Sequence, residues 1–287
     1  MIPSVVPIPP IPSIPAGVWF LRVLRAFARR EAQIVAGYRV AFLMRGVTFA
    51  FSILALAFMA RLVGSASNAH LAPYGGNYMA FAVIGFVVMD FQQVGVTNLS
   101  SRIRTAQVLG VLEAEMATPA PPWIVLGVGP VYEFGLAILR ATAYFVLSML
   151  VFGVHFPRTN VLSVIIAAPL VMGAFVGLGL LSAAATMLVR RNNPVAMILA
   201  SASLLLSGVA YPLSVLPPWL RAVGNLLPLT HALELVRGAL LRGAGPSELA
   251  VSIGVLALFI GILVPAGAGL FVFALRRARI DGSLGHY

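Results

Sequence analysis

Residues 161–189 read VLSVIIAAPLVMGAFVGLGLLSAAATMLV, with no charged side chain anywhere in the run. A soluble helix needs a polar face, and this stretch has none. A helix of ~20 apolar residues crosses the ~30 Å hydrocarbon layer, so the run predicts a transmembrane span that is long enough to tilt. Working outward, five further apolar runs stand at 45–63, 78–97, 131–154, 194–215 and 249–275. Composition agrees: of 287 residues 60% are hydrophobic and 9% charged, against roughly 25% charged in an ordinary soluble domain. Mean hydropathy is +1.00. The reading is an all-α integral membrane protein with six transmembrane helices, leaving no length for a separate soluble domain.

Several chemistries are excluded by the residue inventory. There is no cysteine, so no disulfide, thiolate nucleophile or zinc–cysteine site can form. All 19 basic residues are arginine. Without lysine there is no P-loop to hold a nucleotide's β/γ-phosphates and no Schiff base. His70, His155, His231 and His286 show no metal-binding spacing. The net charge of +11 does not point to nucleic acid, because the arginines flank apolar spans and read as topology signals.

Those arginines set the orientation. With the N-terminus inside, 13 lie on the cytoplasmic side and five outside, with Arg140 within a span. The positive-inside rule then puts both termini in the cytoplasm, consistent with an even number of spans. Arginine-only basicity with abundant Ala, Gly and Val points to a GC-rich bacterial genome, hence a bacterial inner membrane.

Ahead of the spans, residues 1–16 are rich in proline, which breaks helices, and read as a disordered tail. Residues 17–40 place Arg22, Arg25 and Arg29 on one helical face and Phe20, Val23, Leu24, Phe27 and Ile34 on the other. That pattern predicts an amphipathic helix lying in the headgroup layer; the plainer alternative is a basic flank of the first span. Residues 17–287 form one membrane domain.

Two connections are too long for simple turns. The cytoplasmic one, within 98–130, predicts a helix capped by Ser100 or Ser101, running to about Met116 and stopped by Pro119, Pro121 and Pro122. Glu113 and Glu115 sit late in it, against the helix dipole, which suggests a contact elsewhere. The external one, within 211–248, predicts two short helices opened by Pro218 and Pro228, too short to cross and suited to a re-entrant pair. Glu234 and Arg237 are three apart and can pair on one face.

Intramembrane charges are costly and face partners or a cavity. Asp90, Glu133 and Arg140 are the candidates. Pairing of Asp90 with Arg140 is the simplest reading, and a polar lining of a substrate path is the functional one. Gly173, Gly177 and Gly179 suit close helix contact, with a dimer interface as one possible use.

Both connections carry a resemblance. Gly110, Val111, Leu112 and Glu113, then Thr118-Pro119 and Pro122-Trp123, resemble a segment of the type-2 ATP-binding-cassette (ABC) exporter permeases. That family has Thr where Val111 stands. Gly208, Tyr211, Pro212, Leu216, Pro217, Trp219, Leu220, Pro228, Leu229, Thr230, Glu234 and Arg237 follow the order of the same family's helical pair before its last span.

The resemblance implies a coupling region at 98–122 that docks on a separate ATPase subunit, with Gly110, Leu112, Glu113, Glu115, Thr118 and Pro119 as contacts. It implies two ATPase chains carrying ATP and Mg, a second permease, identical or paralogous, and export of a hydrophobic drug, lipid-linked or glycan substrate. This chain would hold no cofactor and catalyse nothing. The competing readings are a proton-coupled secondary transporter centred on Asp90 and an intramembrane lipid-modifying enzyme. The first lacks visible repeats and further midplane carboxylates; the second lacks converging acids.

Overall fold

The computed structural model describes residues 71–108 and 122–280, other than 75, 155, 157 and 190–193, together with nine isolated positions between 22 and 59. Seven α-helices lie in this set: α1 Tyr78–Val108, α2 Pro122–Phe152, α3 Val161–Val189, α4 Pro194–Leu206, α5 Pro218–Gly224, α6 Pro228–Arg237 and α7 Ala250–Ile280. There is no strand among the described residues. Four helices, α1, α2, α3 and α7, are long and apolar enough to cross a membrane.

Sequence and structure part at four boundaries. α1 does not end near Thr97 to leave room for a separately capped helix; it continues unbroken to Val108. No Pro or Gly interrupts residues 96–108, and Ser100 and Ser101 are not caps. The Ser100 hydroxyl bonds back to Val96 O and Thr97 O, and that of Ser101 to Asn98 O, as mid-helix hydroxyls do. Pro122 does not stop a helix either. It starts α2, where a missing N–H costs nothing.

The stretch 194–215 is α-helical only to Leu206, with a single 3-10 turn at Leu213–Val215. Gly208 then takes a left-handed φ of 74°, which ends a helix without steric penalty. At 13 residues, α4 rises about 20 Å. The span predicted at 45–63 falls outside the described residues except at isolated positions, where Phe51, Leu54, Phe58 and Met59 are helical and exposed. In 17–40, Arg22, Arg25, Ala26 and Arg29 are helical and exposed, and the rest lies outside the described residues.

α3 is the centre of the bundle. It packs along α7 on one side and α1 on the other, and α2 lies against α1 with little contact to α3. Between helices in lipid the hydrophobic effect offers little, so close van der Waals approach does the holding. Glycine permits it. A Cβ on Gly177 would sit 2.7 Å from Leu263 Cβ, one on Gly173 would sit 2.9 Å from Ile260 Cδ1, and one on Gly179 would strike the Gly95 carbonyl oxygen. These three glycines are therefore spent on contacts within the chain, not on a dimer interface.

The loops gather at two ends. At one, Asn160 N donates to Ala239 O at 2.9 Å, Ser163 Oγ to Ala244 O at 2.8 Å and Tyr78 OH to Ala210 O at 3.0 Å. This is the Gly208 end. At the other, Arg102 of α1 reaches the bare face of Gly129 on α2, and α7 runs down to Arg276 and Arg277.

Candidate functional site

At the Gly208 end the chain builds a small irregular layer over the spans. Beyond Gly208 it runs past Tyr211, whose hydroxyl donates to Leu205 O, and past Pro212 to Pro217. Pro218 opens α5 and Pro228 opens α6, each at a first helical position as the sequence predicts. Trp219 on α5 is exposed. The Thr230 hydroxyl donates to Gly224 O at 2.6 Å, and the His231 ring lies 2.9 Å from Asn225 O, so the first turn of α6 is tied to the end of α5. α6 then relaxes into a π-helical turn, Gly238–Arg242, closed by Gly243 at φ 68°.

Arg237 fixes this layer to the bundle. It is only 3% exposed. Nη1 donates to Gly208 O at 2.8 Å, and Nη2 donates to Val209 O at 2.8 Å and Phe81 O at 3.1 Å. The guanidinium lies 3.4 Å from the Phe81 ring centroid, close enough for a cation–π contact. Burial lowers its pKa to about 9, so it stays cationic at neutral pH. Gly85 makes the arrangement possible: a Cβ there would strike Val209 O and lie 2.8 Å from Arg237 Nη2.

The predicted Glu234–Arg237 pair is thus corrected. Glu234 Oε1 accepts from Arg242 at 2.6 Å, and Oε2 accepts from Tyr74 OH at 3.2 Å. Burial, reinforced by the Glu234 charge, raises the Tyr74 pKa, which keeps that phenol a donor. Arg237 instead turns to main-chain oxygens that the non-helical Gly208–Val209 segment leaves free. The sequence held the signal: Gly85 interrupts the apolar run FAVIGFVV, and a lone glycine among bulky residues marks close approach by another backbone. Glu234, Arg242 and Tyr74 edge a recess of about 400 Å³ that also takes in His231 and Glu248.

Deeper in the bundle, Asp90 and Arg140 meet between α1 and α2. Arg140 Nη2 and Nε lie 2.9 and 3.0 Å from Asp90 Oδ2, with both side chains about a third exposed (38% and 36%). Glu133 lies half-buried two turns from Arg140 toward the Arg102 end. Beside the pair, where α2 and α3 diverge, opens an apolar cavity of about 380 Å³ walled by Val87, Phe91, Phe145, Val171 and Met172 and roofed by Leu240. Its volume falls in the range of small-molecule sites. Asp90→Asn combined with Arg140→Gln should lower the unfolding midpoint less than either change alone, since each single change strands a charge. Equal losses in all three variants would dissolve the pair.

Gly110, Leu112, Glu113, Glu115, Thr118 and Pro119 lie outside the described residues. Among those described, no three His, Cys, Asp or Glu side chains converge as a metal site would need. The profile of the ABC-2 type transporter family matches residues 22–241, from the basic helical positions into the π turn. The chain belongs to the ABC-2 type transporter family. No curated protein matches it. As an ABC-2 membrane protein it is a transporter permease subunit with apolar spanning helices, of a family that works with an ABC ATPase partner. The Gly208–Arg237 joint and the Asp90–Arg140 level both fall inside the matched region, and α7 falls beyond it.

Proposed function

We propose that the chain is the permease of an ABC exporter, moving a hydrophobic drug, lipid-linked or glycan substrate outward on ATP hydrolysed by a separate subunit. The family match carries this reading. The absence of any lysine supports it, because these 287 residues contain no P-loop lysine to hold the nucleotide. Two permeases and two ATPases would form the complex, with both termini and the Arg102 end in the cytoplasm. In this reading α1 is a single lever from Tyr78 to Val108, and the coupling residues follow it directly. A push on 110–119 by closing ATPase subunits would be transmitted along α1 to Phe81, where Arg237 joins it to the Gly208 layer. ATP binding would favour one of two helix arrangements.

A mild-detergent pull-down of the tagged chain tests it. A stoichiometric partner carrying GxxxxGK[ST] should co-purify, and Glu113→Ala with Thr118→Ala should cut its recovery at least about tenfold, an interface loss of ~1.4 kcal/mol or more. A chain that purifies alone and still transports would sink the proposal.

A further inference from the structure

α1 is buried on all sides over its first two turns, residues 78–85, and only farther along does the face turned away from α3 reach the surface, polar toward the Arg102 end. From mid-depth it presents Asp90, Gln93, Thr97 and Ser101 at intervals of three and four, so they form one stripe. Gln93 and Ser101 are exposed, and Asp90 and Thr97 partly so. α2 runs antiparallel beside it. With Arg140 against Asp90 and Gly129 against Arg102, the register sets Glu133 level with Thr97. The stripe covers twelve residues, a rise of about 16 Å, or roughly half the hydrocarbon thickness.

Lipid is a poor neighbour for this surface. Thr97 and Ser101 bond back to Gln93 O and Asn98 O and could face hydrocarbon on their own. An exposed carboxamide and a partly exposed ion pair at mid-depth could not do so cheaply. The apolar run 45–63 offers such groups little, since between its terminal arginines its polar residues are Thr48 and Ser52 alone. Water is a partner that satisfies every group in the stripe.

We propose that the α1–α2 surface from Ser101 to the Asp90–Arg140 pair lines a water-filled passage open at the Arg102 end and closed at mid-membrane by the ion pair. It admits solutes that carry a polar or charged group. The apolar cavity begins on the other side of the pair, so an amphiphile could keep its head in the passage and its tail beyond it. The proposal takes its transport role from the permease reading, but its geometry can be tested separately.

The natural absence of cysteine makes single-cysteine scanning direct. Gln93→Cys, Thr97→Cys and Ser101→Cys, in the full chain within native membrane vesicles, are exposed to a charged, membrane-impermeant methanethiosulfonate from the Arg102 side. Only a thiol in water ionises and reacts well. All three should therefore react at least about tenfold faster than Leu139→Cys and Ile262→Cys, exposed apolar positions on α2 and α7. Phe86→Cys, one turn past the pair, should stay unreactive.

Stripe cysteines as inert as the two apolar controls would overturn the proposal in favour of lipid. Inert cysteines that oxidise into a cross-linked pair of chains would overturn it in favour of a second copy. A reactive Phe86→Cys would remove the ion pair as the closed end. Retention of the ATPase partner by the same variants shows that they are folded, and inert cysteines in a chain that still binds it would discard the passage while leaving the permease reading standing.

Discussion

Arg237→Leu is expected to lower the unfolding midpoint of the detergent-solubilised chain by about 5–10 °C. The substitution leaves Gly208 O and Val209 O buried without donors and deprives Phe81 O of its second partner. Each stranded buried acceptor costs ~1–3 kcal/mol, and a summed loss of ~2–4 kcal/mol displaces a chain of this size by several degrees. Arg237→Lys should recover less than half of the loss, because an ammonium cannot reproduce a planar fork reaching three oxygens on two elements. Arg242→Leu is the control. Its bond to Glu234 is short, but both side chains are more than a third exposed (35% and 39%), and such a pair is worth ~1 kcal/mol at most. If Arg242→Leu cost as much as Arg237→Leu, general loss of charge rather than the main-chain contacts would explain the effect.

Gly179→Ala should be nearly as damaging despite adding one methyl group. The new Cβ would strike the carbonyl oxygen of Gly95. Backbone meets backbone there, so no rotamer change can relieve the clash and α1 must move away from α3. Overpacking of this kind costs ~1–3 kcal/mol, and a backbone-to-backbone clash falls at the upper end. Gly261→Ala in α7 has no atom within 4 Å of the added Cβ. It should be neutral or slightly stabilising, since alanine is ~1 kcal/mol better than glycine inside a helix. Thermal melts of the two variants side by side decide the matter: equal midpoints would mean that α1 and α3 do not cross at Gly95 and Gly179.

Residues 161–189 could be read directly as a span because nothing but lipid accommodates so long a run without charge, and helix and reading coincide. The starts of α5 and α6 were equally legible, since proline at a first helical position is a local signal. Errors arose where a local signal competed with continuity. Ser100 and Ser101 have the side chains of a cap but lie in the middle of α1, and a hydroxyl that can cap can equally bond back to its own helix. Glu234 and Arg237 had the right spacing to pair, yet a residue 160 positions away in sequence, Tyr74, and the π turn carrying Arg242 took the carboxylate. Periodicity cannot foresee partners that tertiary contact delivers. The Asp90–Arg140 contact was legible for the converse reason: in so apolar a chain, few groups exist for either to meet.

The partners of Arg237 have an evolutionary corollary. Main-chain oxygens are present whatever side chain a position carries, so residue 209 is free to drift without loosening the joint, while Gly208 is kept by its left-handed turn. Gly85 is held too, since a Cβ there would strike Val209 O and crowd the guanidinium. Among descendants of this sequence, a search for a compensating acid opposite Arg237 would return nothing. The trace left by the joint would be the joint retention of one glycine and one arginine more than 150 positions apart.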